Sequence, residues 1–291
     1  MITFICPSIR PKYWNYIQKS IHHNKIKYEI LFIGPKKNLG YRQTDNCKFI
    51  KSYVKPSQCF QIGVVNSKYN LICLIADDIK FSKKNILQQI HKNKKLIKNK
   101  KLLSLKLKSY GVKTWQPVKE FNYMHLPVAP IIEKKLFFQL GGIDKGFLAT
   151  FYDLDLYLRI LSKGYNVKYL NIITEERERN LIEPSLYNRN SSIDKKYFKK
   201  LWFSKGKFNL KRAQKVKKFK DKNLTNITQP PYGKWKNNGV LINSLKYNFF
   251  YFIFDKILKL EFNFIYNIYL KNKHLIIVKF LASKFKKIRS S

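Results

Sequence analysis

The run Asn70–Ile75 (NLICLI) constrains this chain more than any other segment. It is apolar almost throughout, as expected for a central parallel strand covered on both faces. Three further apolar runs precede it: Ile2–Cys6, stopped by Pro7; Tyr28–Ile33, broken by Gly34-Pro35; and the weaker Phe49–Val54. Between them Tyr13–His23 has helical character. Pro56 opens a second helix, at an early position where its missing N–H is harmless. Alternation of this kind predicts a parallel α/β sheet with right-handed crossovers.

Past residue 80 the pattern predicts a helix over Ile86–Lys101, with a Lys-rich solvated end, and a half-buried strand over Leu102–Lys108, which alternates. Asp153–Lys163 reads as a helix whose Leu154, Tyr157, Leu158 and Leu161 form one apolar stripe. Gly164 follows as a C-cap, and Tyr165–Leu170 returns to strand. Residues 205–240 are rich in Lys, Asn, Gly and Pro without a period, whereas 241–291 are aromatic, apolar and basic. The expected organisation is a domain over 1–204, a linker or irregular excursion over 205–240, and a basic amphipathic helical region over 241–291. There is no internal repeat.

The chain has 291 residues, 45% apolar and 15% aromatic, enough to bury a large core and to exclude disorder throughout. Its formal charge of +42 invites a nucleic-acid reading, yet 51 of the 59 basic residues are Lys and 8 are Arg. A surface selected for phosphates and bases favours the forked guanidinium, so no specific nucleic-acid partner is expected. The excess of Lys beside abundant Asn, Ile, Tyr and Phe points to compositional drift, with attraction to polyanions and anionic membranes as a by-product.

Cys6, Cys47, Cys59 and Cys73 lack CxxC spacing and read as buried reduced thiols. MITFICPSIRP reads as a strand running into a turn rather than a secretory leader, so a cytoplasmic location is expected. Tyr247–Leu270 is long enough to span a bilayer, but Asp255, Lys256, Lys259 and Glu261 lie near its middle. Each Asp or Lys there costs ~2.5–3.5 kcal/mol, which argues against a span. Residues 271–291 add seven Lys/Arg and no acid. Two readings stay open: an interfacial helix, peripheral on the anionic cytoplasmic membrane face, or a helix closing the core with a solvated basic tail.

Two acidic clusters stand at element ends. Ala76-Asp77-Asp78 directly follows the central strand, and ligands of open α/β sheets bind at the carboxyl ends of strands. Paired carboxylates there suit a hard divalent cation that also grips phosphate oxygens; the competing reading is a cap for a helix starting near Ser82. Asp153 and Asp155 open the Leu154–Leu161 helix, where the dipole favours them and either can serve as N-cap.

The order of residues carries a resemblance. Gly141-Gly142-Ile143-Asp144, Phe147, Tyr152-Asp153-Leu154-Asp155-Leu156, Arg159 and Gly164-Tyr165 resemble the acceptor half of family-2-like, GT-A-fold glycosyltransferases. ITFICPSIRP is similar to that family's first strand and turn, and SQCFQIGVVNSKYNLICLIADD to its stretch ending in a D-x-D motif. Asp194, Phe198 and Trp202 match residues placed after the family's last catalytic strands. The resemblance covers residues 1 to about 202 and implies a GT-A-type, Rossmann-like, mostly parallel sheet flanked by helices.

It further implies that Pro7, Ser8 and Arg10 line the nucleotide pocket, with Asp77 on the donor side and Asp78 at a divalent metal, Mn2+ or Mg2+. Asp153 becomes the general base, and Gly142, Asp144 and Tyr152 fall on the acceptor side. Two departures stand out: Ala76 replaces the first acid of the motif, and Asn171–Asn180 lacks the family's downstream metal-binding His, leaving Glu175 or Glu176 as substitutes. The implied activity is that of an inverting, metal-dependent hexosyltransferase moving sugar from a nucleotide-sugar donor to a glycan or lipid-linked acceptor. The alternatives are an inactive GT-A-like binding protein, motivated by Ala76 and the missing His, and a nucleic-acid-binding protein, which lacks clustered Arg or a motif.

Overall fold

The computed structural model describes residues 1–219 except 22–24, 36–43, 53, 82–84, 110–111, 177–185 and 213–215. The expected helical region 241–291, and with it the membrane-surface reading, lies outside the described residues, as does most of 205–240. Among the described residues no helix is long and apolar enough to cross a membrane.

In chain order the strands are β1 (Ile2–Pro7), β2 (Tyr28–Gly34), β3 (Cys47–Lys51), β4 (Leu71–Leu74), β5 (Ile79–Phe81), β6 (Lys101–Ser109), β7 (Val112–Lys113), β8 (Val128–Glu133) and β9 (Asn166–Glu176), then a small hairpin of β10 (Phe203–Ser204) and β11 (Lys207–Phe208). The helices are α1 (Trp14–Ile21), α2 (Pro56–Asn66), α3 (Ile86–Asn93), α4 (Lys95–Lys98), α5 (Lys134–Gln139), α6 (Tyr152–Leu161) and α7 (Leu186–Trp202). The main sheet runs β3-β2-β1-β4-β8-β6-β9-β5, with β7 hairpinned onto β6. β3, β2, β1 and β4 are parallel, β8 is reversed, β6 and β9 resume the first direction, and β5 reverses again. Six of these eight strands therefore point one way, as the alternation of strand and helix predicts.

Alternation along each strand divides the core in two. Ile5, Ile33 and Leu74 face a layer built by Phe60 and Ile62 of α2, Phe137 of α5, Leu156 and Ile160 of α6, and Phe198 and Trp202 of α7. Phe4, Cys6, Phe32 and Cys73 face the other layer, with Trp14 and Ile17 of α1 and Ile86 and Ile90 of α3. All four cysteines are free and buried, as their spacing suggested.

Only four residues separate β4 from β5, although β5 stands four positions away in strand order. A flat sheet would place them about 19 Å apart, beyond the ~18 Å that five extended peptide steps reach. The sheet curls, and Ala76-Asp77-Asp78 lie on the short chord that closes the curl. The helix-cap reading of these acids is thereby excluded: they lead into β5, and α3 begins at Ile86.

Two local expectations differ. The helix expected over Ile86–Lys101 breaks into α3 and α4, and Lys100, with φ of 53°, ends it in the left-handed region before β6 begins. β6 was expected half-buried, but Leu102, Leu103, Ser104 and Leu105 are all buried. Leu102 packs into one layer and Leu103 and Leu105 into the other, so β6 is covered on both faces.

Candidate active site

The loop after β1 folds onto the acids after β4. The Ser8 N–H donates to the Ile33 carbonyl at 2.7 Å, drawing the loop across Gly34. A Cβ at Gly34 would stand 1.8 Å from the Ser8 carbonyl oxygen, so only glycine permits this approach. Asp77, 2% exposed, gathers the loop. Its Oδ2 accepts from Ser8 Oγ, Ile9 N and Arg10 N, each at 2.9 Å, and its Oδ1 accepts from Arg10 Nε at 3.0 Å. The Arg10 guanidinium also pairs through one nitrogen with Asp77 at 2.6 Å and with Asp78 at 3.0 Å. Pro7, the last residue of β1, starts this turn, so Pro7, Ser8, Arg10, Asp77 and Asp78 form one cluster at the carboxyl edge of β1 and β4.

The second cluster sits at the start of α6. Phe151, at φ 60°, takes a left-handed turn that costs a bulky residue roughly 1–3 kcal/mol. The turn sets Tyr152 into the core against Phe60, ring centroids 5.2 Å apart. Asp153 is left at the wall of a cavity of about 620 Å3, together with Phe151, Leu154 and Tyr157, the apolar Val118 and Leu126, and the cationic Lys113 and Lys119. Neither acid of the helix serves as N-cap, because Phe151 holds that position without a side-chain cap bond. Burial pushes the Asp153 carboxyl above its ordinary value, opposed in part by the Leu154 N–H, which donates to Oδ1 at 2.8 Å. Among the described residues no ion pair reaches it.

Asp155, two residues on, has a different fate. Trp202 Nε1 donates to it at 2.9 Å, and Arg159 donates twice to Oδ2, at 3.0 and 2.8 Å. Arg159 also donates to the Leu140 and Gly142 carbonyls at 2.7 and 2.8 Å. Trp202 is therefore a buried strut. Gly142, at φ 71°, leaves no room for a Cβ beside the Gln61 amide, whose Oε1 accepts from Ile143 N. Asp144 is buried and accepts from Gly146 N at 2.7 Å, Tyr197 Oη at 3.2 Å and Lys217 N at 3.2 Å. Gly142 and Asp144 thus direct their polar atoms into the protein itself.

Helix α7 gives a role to Asp194, which the sequence named only by its match to the family pattern. Asp194, wholly buried, accepts from Leu148 N at 2.9 Å and from Ala149 N and Thr150 N at 2.8 Å, plus Thr150 Oγ1 at 3.2 Å. It clamps the segment that leads into Phe151 and Asp153. Asp194, Tyr197, Phe198 and Trp202 recur at helical spacing, so one face of α7 grips both ends of this site. Glu175 and Glu176 lie on β9 rather than in a loop: Glu175 pairs with Lys108 at 3.6 Å, and Glu176 stands opposite Ile79, the residue after Asp78.

Burial raises the Tyr152 phenol, and Asp153 raises it further. The Cys6 thiol is raised by burial and then by Asp77 and Asp78. Asp78 is not among the residues lining the cavity at Asp153.

Comparison with solved structures identifies the fold. GalNAc-T7, solved with UDP, GalNAc and Mn2+, superposes with a TM-score of 0.50 at 10% identity, over 71% of this chain and 48% of that one. The chain has a GT-A fold. TarS of S. aureus, residues 1–349, matches at a TM-score of 0.42 and 12% identity, over 61% of this chain and 58% of that one. No family model and no curated protein matches the sequence. The chain spans about half the length of the GalNAc-T7 structure. Its GT-A core carries both acidic clusters and the α7 clamp within the first 202 residues.

Proposed function

We propose that this GT-A chain is a glycosyltransferase that moves a sugar from a nucleotide-sugar donor to a hydroxyl of a glycan or lipid-linked acceptor. The observation that carries the reading is the contrast between two acids on one helix. Burial raises both carboxyls, but Asp155 is tied to Arg159 and Trp202, whereas Asp153 stands at a cavity wall with, among the described residues, no ion pair. A raised carboxylate at a cavity wall is a proton acceptor in search of a donor.

The acceptor hydroxyl oxygen attacks the anomeric carbon as the bond from that carbon to the diphosphate oxygen breaks. The bonding pair leaves with the nucleoside diphosphate, and the hydroxyl proton passes to Asp153. Attack opposite the leaving group inverts the anomeric centre. Apolar walls with Lys113 and Lys119 suit an acceptor that presents both nonpolar surface and negative charge, as a lipid-linked glycan does.

The leaving diphosphate needs positive charge, and the GalNAc-T7 structure holds Mn2+ with its UDP. In this chain Asp77 and Asp78 already surround a cation, the Arg10 guanidinium. Among the described residues no three His, Cys, Asp or Glu side chains gather as a self-sufficient metal cage. Such a donor set fits Mg2+ or Mn2+ held by one or two carboxylates, waters and the donor's own phosphates. Asp78 would hold it, and the ion would supply Lewis-acid stabilisation of the leaving group.

Screening nucleotide-sugars with Mn2+ or Mg2+ should yield at least one that raises Tm and releases nucleoside diphosphate in an acceptor-dependent way. If no donor binds or turns over, the reading is lost. Gly34→Ala should push Ser8 off Ile33 and weaken nucleoside diphosphate binding by ~10-fold or more, measured by titration calorimetry. An unchanged affinity would remove the Ser8–Arg10 loop from the donor site.

A further inference from the structure

Tyr157 belongs to the apolar stripe of α6, where a phenylalanine would pack as well, so its hydroxyl is surplus to the core. The residue is 4% exposed and lines the cavity at Asp153. Three hydroxyl side chains stand in that lining, those of Thr114, Thr150 and Tyr157. Thr114 Oγ1 donates to the Leu107 carbonyl at 2.8 Å, and Thr150 Oγ1 donates to Asp194 at 3.2 Å. Tyr157 has no such engagement: among the described residues nothing hydrogen-bonds its oxygen. Among those residues Asn85 Oδ1 is the one side-chain oxygen or nitrogen both sealed from solvent and unpartnered. The Tyr157 phenol is therefore open to the cavity rather than shut in the core. A hydroxyl held there has given up most of its water without a protein partner in exchange, a loss that a bound molecule can make good.

We propose that Tyr157 is an acceptor-binding residue: its phenol donates a hydrogen bond to an oxygen beside the attacking hydroxyl, so the cavity takes a sugar ring with adjacent oxygens rather than a lone alcohol. This rests on the glycosyltransferase reading above and narrows its acceptor. Asp153 and Tyr157 stand four residues apart on α6, which makes them neighbours on one face with Cβ atoms ~5–6 Å apart. Burial, and then the charge of Asp153, holds the phenol well above its ordinary value, so it remains a donor wherever Asp153 is ionised. The two groups are complementary, one taking a proton and the other offering a hydrogen bond. A donor on the attacking oxygen itself would draw electron density from it, whereas a donor on its neighbour orients the ring and leaves the nucleophile to Asp153.

Two readouts on the full chain decide it. In the first, acceptor-dependent release of nucleoside diphosphate is followed with the methyl glycosides of glucose, galactose and N-acetylglucosamine and with their monodeoxy analogues. Tyr157→Phe should lower kcat/KM by ~10-fold for a glycoside that is used. The analogue lacking the oxygen that Tyr157 holds should be used equally by both proteins, since each pairing then lacks the same bond. Equal losses on the parent glycoside and on every deoxy analogue would mean altered packing, and the proposal fails. Removing an unpartnered hydroxyl should leave Tm unchanged or raised; a fall of ~3 °C or more reveals a protein partner and overturns the assignment. In the second readout the tyrosine ζ carbons carry carbon-13, and the resonance missing from Tyr157→Phe is that of Tyr157. The methyl glycosides, added with and without UDP and Mn2+, should shift it, and cyclohexanol at equal concentration should not. A resonance that no glycoside moves, or that cyclohexanol moves as far, refutes the proposal. If glycosides move it while no nucleotide-sugar is turned over, the transferase reading falls and the sugar subsite at Tyr157 stands.

Discussion

Asp153→Asn is expected to lower sugar transfer by ~10²–10⁴-fold, the usual contribution of a placed general base, while leaving the fold intact. Asparagine keeps the shape and the acceptor oxygen for the Leu154 N–H but takes no proton from an acceptor hydroxyl. Stability should not fall with activity. Burial raises the folded-state pKa of Asp153 above its unfolded value, so the folded protein binds this proton more tightly than the unfolded chain. Ionisation therefore lowers stability progressively as pH rises from the unfolded pKa, near ~3.9, through the raised folded one. Above that window the full deficit is present, and an uncharged asparagine removes it. At pH 7 the variant should melt at or above the wild-type temperature. The wild-type rate should also show an acid limb above the pH at which an ordinary aspartate would place it, and that limb should vanish in the variant's residual activity. Full turnover in a clean Asp153→Asn preparation would assign the base elsewhere.

The strands of the parallel half were legible because burial on both faces leaves few polar positions to interrupt them; Thr3 and Glu29 are buried and hydrogen-bond to each other at 3.0 Å. Ile2–Cys6, Tyr28–Ile33 and Asn70–Ile75 stand within a residue or two of β1, β2 and β4. β8 escaped because Pro130 and a left-handed Ala129, φ 48°, break the strand pattern, yet it sits between β4 and β6 as the one reversed strand at the sheet's centre. β5 has three residues and gains its place from β9, a partner nearly a hundred positions away, which no local period reports.

At the site, the acids themselves could be read from their positions at element ends, but their division of labour could not. Asp153 and Asp155 look equivalent along the chain. What separates them is Arg159 one turn later and Trp202 forty-seven residues later, of which only the first lies within reach of a helical period. Arg10 between Asp77 and Asp78 depends on a contact across the three strands β2, β3 and β4 and the helices α1 and α2. Gly142 and Asp144 were expected at the acceptor, whereas their hydrogen bonds brace Arg159 and the loop at Lys217. Phe208, Leu210 and Phe219 join this bracing as well: Phe208 is part of the core, and Leu210 and Phe219 pack against it.

Asp194→Ala should produce the largest loss of stability among single changes near the site, with activity falling alongside. The carboxylate is fully buried and accepts three backbone N–H groups and the Thr150 hydroxyl. Truncation leaves three donors unpaired away from water, and each such group costs ~1–3 kcal/mol before relaxation. It also withdraws the negative charge that most supports the buried Lys55 ammonium, whose pKa burial has already lowered to about 8. With partial relaxation the net loss should be about 3 kcal/mol or more, a fall in Tm of ~6–12 °C for a domain of this size. Asp194→Asn keeps one acceptor oxygen but turns an NH2 group toward backbone donors, so its loss should be intermediate. The segment 148–150 runs directly into the left-handed Phe151, so releasing the clamp should let that strained turn relax and carry Asp153 away from the cavity wall. Transfer should then drop mainly in kcat, with donor affinity held by the Ser8–Arg10 loop. A melting temperature within ~2 °C of wild type in both variants, or a donor affinity that collapses while kcat holds, would show that α7 does not position the base.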